Sequence, residues 1–309
     1  MRKSVSYTDD MVRFSLTILL AASLQAASPY TGRWDLTIQS TSEMYPDWLE
    51  VTEDGGALAA RVQPKDGSVH PVTSIRTEGS QLLVEFKWSG RTINWDLSAN
   101  GNRLTGSQKS SRGESAQVTG VRAPALKRPM PKSWTKAEPI FNGKDLTGWK
   151  PMNPANSHWD VQDGVLVNVT KGSNLKTVGE YEDFKLHFEL NCPDGGNSGF
   201  YLRGRYEIQI AYEKEPDNFH SMGSIYGMLA PSVEMPRKPG QWEAFDATLV
   251  GRWLTLVRDG KTIIDNQEIA GITGGALDSK EAEPGPFYIQ GDHTGGMKYR
   301  NITISVPRK

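Results

Sequence analysis

The chain has 309 residues, of which 37% are hydrophobic and 23% are charged, a composition typical of a globular protein. Its 35 basic and 36 acidic residues give a formal net charge of -1, so neither a nucleic acid nor an anionic membrane is expected as its main partner. The 31 glycines and 18 prolines, separated by short Val, Ile, Thr and aromatic runs, predict many strands joined by turns. The single cysteine, Cys192, excludes an internal disulfide and a thiolate metal cluster, and we interpret it as a small buried hydrophobe.

The first 26 residues have the pattern of an export signal. Residues 14–24 form an apolar core that is too short to span a bilayer as a helix, and Arg13 supplies the basic flank. Leu24-Gln25-Ala26 fits the small-residue rule for cleavage, and no cysteine follows the core to carry a lipid anchor. The alternative is a buried N-terminal helix. We predict a signal peptide over residues 1–26, no membrane anchor, and export to the periplasm or the medium.

A first β-rich unit is predicted over residues 29–121. Residues 32–38 alternate in polarity, and the runs 82–88 and 92–97 flank a turn at Ser89-Gly90-Arg91. Asn100-Gly101 is a strong signal for a two-residue hairpin. Many short strands in so few residues predict a small β-barrel or sandwich, which we interpret as an accessory domain without catalytic residues.

Residues 122–136 are rich in proline and basic side chains and lack periodicity, which predicts an extended linker. Residues 137–309 then form the second unit, where no window shows the 3.6-residue period of a helix and Asp163-Gly164 and Asp259-Gly260 mark tight hairpins. The pattern predicts an all-β chain that ends in a two-sheet antiparallel jelly-roll sandwich, with a ligand site on its concave sheet. The predicted strands are 159–162, 165–169, 184–190, 199–203, 206–211, 224–228, 242–250, 253–258, 261–265, 286–290 and 297–305.

One stretch of the second unit, residues 195–210, combines an apolar face with a polar one. Its even positions hold Phe200, Leu202, Tyr206, Ile208 and Ile210. Its odd positions hold Tyr201, Arg203, Arg205, Glu207 and Gln209. Alternate side chains of a strand point to opposite faces, and Gly204 predicts a turn that folds the stretch into a hairpin. The polar face is either a solvated surface or a binding surface. Its planar Arg, Gln and Tyr groups favour binding, because they make directed, multidentate hydrogen bonds.

Further motifs follow in order along the second unit. They include Phe141-Asn142-Gly143-Lys144-Asp145-Leu146-Thr147-Gly148-Trp149, Asn197-Ser198-Gly199, Tyr206-Glu207-Ile208-Gln209, Pro239-Gly240-Gln241-Trp242 and Ile289-Gln290-Gly291-Asp292-His293. With these motifs, residues 137–307 resemble the family once catalogued as a domain of unknown function and now called 3-keto-disaccharide hydrolase. The resemblance implies a concanavalin-like β-sandwich, bacterial origin, export, and activity on 3-keto-glycosides that a separate oxidoreductase makes.

The chemistry of such a substrate narrows the kind of site required. A 3-keto group acidifies the hydrogen on C2, so a base can remove it and the C1 substituent can leave by β-elimination before water adds back. The reaction needs a base, an acid for the leaving oxygen and an electrophile at the C3 oxygen. It does not need the carboxylate pair of ordinary glycosidases, and the chain lacks the Glu-x-Asp-x-x-Glu strand of laminarinases. We therefore expect an exported enzyme that cleaves 3-keto-glycosides or 3-keto-disaccharides. The alternative is a non-catalytic carbohydrate-binding module.

Three residues are candidates for the catalytic roles. His293 is the first choice for base or acid, because imidazole titrates near neutral pH, and Glu207 is the alternative base. Arg203 would bind the keto oxygen and stabilise enolate charge. The structural alternatives are a surface-loop histidine and a cross-strand ion pair between Glu207 and an arginine. The predicted substrate-binding residues are Asn197, Arg205, Gln209, Tyr226, Trp242 and Asp292.

The sequence requires no cofactor with certainty, but a divalent cation, Ca²⁺ or another, is one candidate. A histidine with Glu207 and Asp292 would hold it as the electrophile at the C3 oxygen. The chain has five histidines, and none lies at the i,i+4 or His-x-His spacing of a metal motif. A carbohydrate is the expected binding partner, and the pattern specifies no oligomeric state.

Overall fold

The computed structural model describes residues 28–213 and 217–308, together with Met1. The predicted signal peptide lies outside the described residues. In the part that is described, the regular structure is β except for two single turns of 3-10 helix at Pro154–Asn156 and Asn218–His220. The all-β prediction is therefore confirmed. No helix among these residues is long and apolar enough to cross a membrane.

The first unit is one antiparallel sheet of nine strands that curls into a barrel-like meander, in the order β4-β3-β2-β1-β9-β8-β7-β6-β5. Strands β4 and β5 follow each other in the chain but pair with opposite ends of the sheet. Between them, Val72 N donates to Ala60 O (3.1 Å) and Thr73 N donates to Glu85 O (2.7 Å), which joins the two ends. The strands are β1 Gly32–Gln39, β2 Met44–Asp54, β3 Ala57–Gln63, β4 His70–Pro71, β5 Ser74–Glu78, β6 Gln81–Trp88, β7 Arg91–Asn100, β8 Arg103–Ser110 and β9 Ser115–Arg122.

The second unit is a sandwich of two antiparallel sheets. The larger sheet has the order β12-β13-β22-β15-β18-β19-β20, with β10 paired to β22, and the smaller sheet has the order β11-β14-β21-β16-β17. Together they form the two-sheet architecture that the sequence predicted. The strands are β10 Glu138–Pro139, β11 Trp149–Pro151, β12 Trp159–Gln162, β13 Val165–Asn168, β14 Leu175–Thr177, β15 Phe184–Asn191, β16 Asn197–Leu202, β17 Tyr206–Ala211, β18 Trp242–Val250, β19 Trp253–Arg258, β20 Lys261–Glu268, β21 Tyr288–Ile289 and β22 Met297–Ser305.

The β16–β17 hairpin forms with the parity that the sequence predicted. Its even-numbered apolar side chains are buried in the core between the two sheets. There the ring of Phe200 stacks on Phe188 with their centroids 4.3 Å apart, and Phe188 stacks on Phe245 at 5.3 Å. The predicted turn is also present, with φ values of 52° at Arg203 and 69° at Gly204. The odd-numbered side chains consequently point away from this core.

Local turn chemistry explains both a successful prediction and a failure. Asp163 and Gly164 have φ values of 50° and 80°, as the first type of primed hairpin turn requires, and the predicted hairpin is confirmed. By contrast, the prediction of a strand over residues 224–228 is wrong. Gly223 and Gly227 have φ values of 86° and 66°, which turn the backbone out of the extended conformation. Only Ile225 makes isolated bridges there.

The two units pack against each other. Trp48 of the barrel lies in a small apolar cluster with Ile272 and Ala276 of the sandwich. Beside it, Arg33 Nη1 pairs with Glu268 Oε1 at 2.6 Å. The proline-rich connection between the units has no regular structure over residues 124–131, but Arg128 holds it to Glu182 and Asp183 of the sandwich at 2.5 and 3.0 Å. The barrel thus lies directly against the segment that follows β20.

Candidate active site

The polar face of the β16–β17 hairpin is buried, not solvated. Tyr201, Glu207 and Gln209 are at most 3% exposed. They are covered by the loop after β20, where Thr273 Oγ1 accepts from Glu207 N (2.9 Å) and the carbonyl of Gly274 accepts from Tyr201 Oη (2.7 Å). Burying so many polar groups is costly unless each has a partner or faces a cavity. A solvated face is therefore excluded.

A pocket of about 90 Å³ opens onto this face. A single water needs about 10–15 Å³ of cavity volume, so the pocket has room for roughly six to nine waters, or about one sugar ring. It brings Glu207 and His293, which are distant in the sequence, to one cavity. Its lining comprises Asn197, Tyr201, Glu207, Gln209, Tyr226, Gly274, Gly275, Gln290 and His293 of the sandwich, and Asp66 of the barrel.

Glu207 is a buried carboxyl group with no cation beside it. Tyr201 Oη lies 2.7 Å from Glu207 Oε2, and no ion pair forms between Glu207 and any described residue. Burial raises the pKa of Glu207 to about 8, the charge of Asp292 adds to the rise, and the hydrogen bond with Tyr201 opposes it. At neutral pH this carboxyl is therefore mostly protonated and can serve as an acid.

The hydrogen-bond count around Tyr201 agrees with a protonated Glu207. Tyr201 Oη accepts from Gln290 Nε2 (3.0 Å) and lies 2.7 Å from both Glu207 Oε2 and Gly274 O. A phenol has only one proton to donate. When Tyr201 donates that proton to the Gly274 carbonyl, the contact with Glu207 is a hydrogen bond only if the carboxyl supplies the proton. Nearby, a Cβ atom at Gly199 would lie 2.1 Å from Glu207 Oε1, so the glycine leaves the space that the carboxyl occupies.

His293 and Asp292 form a second titratable unit at the pocket. His293 Nδ1 lies 2.8 Å from Asp292 Oδ1, and Asn174 Nδ2 donates to Asp292 Oδ2 at 3.3 Å. Burial alone would raise the pKa of Asp292, but the hydrogen bond and charge of His293 outweigh it, so this pKa lies below its usual value. With Nδ1 directed at a carboxylate, Nε2 is the ring nitrogen left for proton transfer.

The loop that carries His293 is fixed to the hairpin. Thr294 Oγ1 donates to Asn197 O (2.8 Å) and accepts from Asn197 N (2.7 Å). Asn168 Nδ2 donates to the carbonyls of Gly291 and Thr294, both at 3.2 Å. The imidazole and the polar face of β16–β17 are therefore held in one rigid arrangement.

Gln209 supplies an amide with no protein partner. Its side chain is 3% exposed and lines the pocket, and it makes no hydrogen bond to any residue in the described ranges. The other amides are engaged, since Gln290 donates to Tyr201 and Asn197 Nδ2 donates to Glu213 Oε2 (2.9 Å). The amide faces the open space of the pocket, where a ligand or water can satisfy its hydrogen bonds.

The two arginines of the hairpin lie away from the pocket. The Arg203 guanidinium donates to Gly251 O and lies 5.2 Å from the centroid of the Tyr206 ring. Arg205 Nε donates to Asp278 Oδ1 at 2.7 Å. Both side chains are directed to the turn end of the hairpin, away from the pocket. Their contacts with a substrate therefore remain predictions, and this geometry does not support them.

Trp242 is also outside the pocket. Its ring is covered by the guanidinium of Arg300, whose Cζ lies 4.0 Å from the ring centroid. By contrast, Tyr226 lines the pocket, as its predicted role in substrate binding requires. Tyr201 is a pocket residue to which the sequence reasoning gave no role, although its odd position on the hairpin was the available signal. Asp66 had no signal, because it comes from the other unit.

The predicted cation set is not assembled. Within residues 28–213 and 217–308, no group of three or more His, Cys, Asp or Glu side chains lies close enough to hold a metal ion. Asp292 is directed at His293, and Glu207 Oε2 lies 2.7 Å from Tyr201 Oη. The three predicted ligands thus form no cation site among the described residues, and the divalent cation stays a prediction.

Larger cavities lie elsewhere in the molecule. One of about 270 Å³ lies beside Tyr212, and one of about 490 Å³ lies at the junction of the barrel and the sandwich near Asp35. Neither brings a histidine together with a buried carboxyl. Of these three cavities among the described residues, the small pocket has the groups that match acid–base chemistry.

The second unit matches the model of a known protein family. The family model described as a 3-keto-alpha-glucoside-1,2-lyase-like domain matches residues 136–305. Among solved structures, a protein from Parabacteroides distasonis, described as a candidate glycosyl hydrolase, is 27% identical with a TM-score of 0.48, and the match covers 58% of this chain and 92% of that one. A carbohydrate-binding module from Bacillus subtilis is 12% identical with a TM-score of 0.34, and the match covers 52% of this chain and 97% of that one. None of the curated proteins compared with the chain matches it.

Proposed function

The chain belongs to the family of 3-keto-alpha-glucoside-1,2-lyase-like domains, and from that premise we propose that it cleaves 3-keto-glycosides by elimination and hydration. One observation carries the proposal: a buried carboxyl group without a counter-ion, Glu207, shares a one-ring pocket with the His293–Asp292 pair. An acid and a base with different environments in one cavity are what a two-step proton transfer requires.

The first half of the reaction is an elimination. Nε2 of neutral His293 removes the proton from C2, which the neighbouring C3 ketone has made acidic. The C1–O bond then breaks, and protonated Glu207 gives its proton to the leaving oxygen. The amide of Gln209 donates to the C3 oxygen, where negative charge develops. The products are an alcohol or second sugar and a 3-keto sugar with a double bond between C1 and C2.

The second half adds water to that double bond. The Glu207 carboxylate takes a proton from water as its oxygen attacks C1, and the imidazolium of His293 returns a proton to C2. Both groups end in the protonation states in which they began, so the cycle closes. The sum is a 3-keto-glycoside plus water giving a 3-keto sugar plus an alcohol. Release of the unsaturated sugar before hydration would make the protein a lyase.

The experiment is an assay in deuterium oxide. The purified protein is given the 3-keto derivative of trehalose or maltose, with the unoxidised disaccharide as the matched control. We expect release of 3-keto-glucose that carries deuterium at C2, and no cleavage of the control. Release without deuterium, together with an unchanged cleavage rate for a substrate deuterated at C2, would contradict the elimination step. Tight binding of the disaccharide with no cleavage of either compound would instead make the protein a carbohydrate-binding module.

We also propose that the protein is exported. The support is the sequence pattern over residues 1–26, an apolar core with a basic flank and a small-residue cleavage site. Expression of the full chain, fractionation of the cells and N-terminal sequencing of the product test it. A mature N-terminus near Ala27 in the periplasm or medium is expected, and an uncleaved chain in the cytoplasm would contradict export.

A further inference from the structure

We infer that the N-terminal barrel completes the active site. Its loop between β3 and β4, residues 64–69 and hereafter the barrel loop, forms the rim of the pocket, and Asp66 on it binds hydroxyl groups of the leaving sugar. The inference rests on the proposed function and adds a specificity-determining residue from outside the family domain, which begins at residue 136.

The barrel loop is fixed from its own side and from the sandwich. Lys65 N donates to Asp47 Oδ1 of the barrel (2.6 Å), and Lys65 O accepts from Gly275 N of the sandwich (2.9 Å). Lys65 has a φ of 34°, a conformation that a residue with a side chain adopts only when its surroundings hold it there. The contact is close, since a Cβ atom at Gly274 would lie 2.7 Å from Gly67 O.

The other half of the barrel loop contacts the wall of the pocket. Ser68 Oγ lies 2.6 Å from His220 Nε2, and His220 Nδ1 lies 2.9 Å from Asp217 Oδ1. The His220 ring packs edge-on against the ring of Tyr226, with the centroids 4.9 Å apart. Because Tyr226 lines the pocket, the barrel loop and the pocket wall form one continuous structure.

Asp66 is free to bind a ligand. It lines the pocket but is exposed, and it makes no hydrogen bond or ion pair to any residue that the structure describes. Glu207, by contrast, is buried at the inner end. A pocket with room for about one ring places the reacting sugar beside Glu207 and the leaving sugar at the rim, beside Asp66. A carboxylate is an acceptor only, so the groups that it recognises are hydroxyl donors.

The test compares two substrates. Values of kcat/KM are measured for the 3-keto derivative of trehalose, whose leaving group is a sugar, and for methyl 3-keto-α-glucoside, whose leaving group has no further hydroxyl. In Asp66→Ala we expect the ratio of the first value to the second to fall roughly 10- to 100-fold, the loss of one or two hydrogen bonds to a charged group. Asp66→Asn should fall less, because its amide oxygen still accepts.

The matched control is Asp54→Ala, which removes an exposed carboxylate from the β2–β3 turn of the same barrel. It should leave the ratio unchanged, and thermal melting should show that all variants are folded. An unchanged ratio in Asp66→Ala, or an equal loss on both substrates, would overturn the inference. If the wild type cleaves neither substrate, the proposed function is wrong. In that case the affinity for intact trehalose is measured by calorimetry in the wild type and in Asp66→Ala. An affinity at least tenfold lower in Asp66→Ala would support the contact between Asp66 and the sugar, and equal affinities would overturn it.

Discussion

The two ends of the polar face of the β16–β17 hairpin are equally buried but differ in charge balance. At the pocket end, Glu207 has no cation beside it, and Tyr201 is the only described side chain that is hydrogen-bonded to its carboxyl group. At the turn end two arginines are paired with carboxylates, while the buried Arg203 donates only to Gly251 O among the described residues. Arg205 contacts Asp278 at 2.7 Å, and beside it Arg252 Nη2 contacts Glu281 Oε2 at 2.6 Å. Burial without a counter-ion yields a titratable acid, whereas burial with one yields a cross-link between strands and loops.

The turn end also joins the two units. Asp35 of the barrel lies beside Glu281, and burial followed by the charge of Glu281 raises the pKa of Asp35 to about 10. Asp35 is therefore protonated at neutral pH, and Glu281 beside it contacts Arg252. The same hairpin thus supports the reaction at one end and the interface at the other.

The largest effect expected is the loss of activity in Glu207→Gln. Removing the proton donor should lower kcat on a 3-keto-disaccharide by about 10²- to 10⁴-fold, the usual contribution of a general acid or base. The melting temperature should not fall, because the amide replaces a carboxyl that is already neutral at pH 7. A Glu207→Gln variant with full kcat would contradict the catalytic assignment of Glu207. A variant that fails to fold would show that Glu207 has a structural role like the charged residues at the turn end.

Glu281→Gln should have the opposite profile. Leaving Arg252 buried without its partner should lower the free energy of unfolding by about 3–5 kcal/mol, measured in urea. The folded fraction should keep its kcat. Arg252→Met combined with Glu281→Leu should recover most of the loss, because an apolar pair removes both charges together. Failure of this recovery would mean that Glu281 acts beyond the ion pair.

Gly199→Ala tests the position of the Glu207 carboxyl without removing it. The new Cβ atom would lie 2.1 Å from Glu207 Oε1, so the carboxyl must move. A displacement of about 1 Å typically costs about 10²-fold in rate, so kcat should fall by that order. Added to Glu207→Gln, the substitution should cause no further loss, since both act on one group. Additive losses would show that Gly199 has a separate role.

Stability should depend on pH through Glu207. Its pKa rises from 4.5 to about 8 on folding, so the folded state holds the proton more tightly between these values. The stabilisation is complete below pH 4.5 and is lost as the pH rises to about 8, at up to about 1.4 kcal/mol per pH unit. Urea unfolding at pH 5 and pH 8 should therefore show a steeper decline for the wild type than for Glu207→Gln. Parallel declines would contradict the raised pKa.

Arg203→Lys should have the smallest effect on activity. Arg203 contacts Gly251 and Tyr206, not the pocket, so kcat/KM should change less than about threefold while the loss of a buried hydrogen bond lowers stability by about 1 kcal/mol. Arg205→Lys is the matched control at the same end of the hairpin. A tenfold loss of kcat in a fully folded Arg203→Lys would place Arg203 in the site, as the sequence predicted.

The sequence was sufficient where a property depends on neighbouring residues. The alternation along β16–β17 and the Asp-Gly turns follow from local backbone rules. It could not separate Glu207 from Arg203, because that difference depends on Thr273, which covers Glu207, and on Gly251, which binds Arg203, and both are remote in the chain. Gly223 and Gly227 overrode the predicted strand. Asp66 was unpredictable because no pattern within one unit reports how two units dock.

The place of β22 has a consequence for the order in which the chain folds. This last strand lies in the middle of the larger sheet, between β13 and β15. The paired barrel strands all lie within residues 32–122, and they are neighbours in the chain except where β1 pairs with β9. The barrel can therefore fold as soon as it has been synthesised, but the sandwich must wait until residues 297–305 emerge from the ribosome. The face of the sandwich that contacts the barrel loop therefore folds last, against a barrel that has already folded.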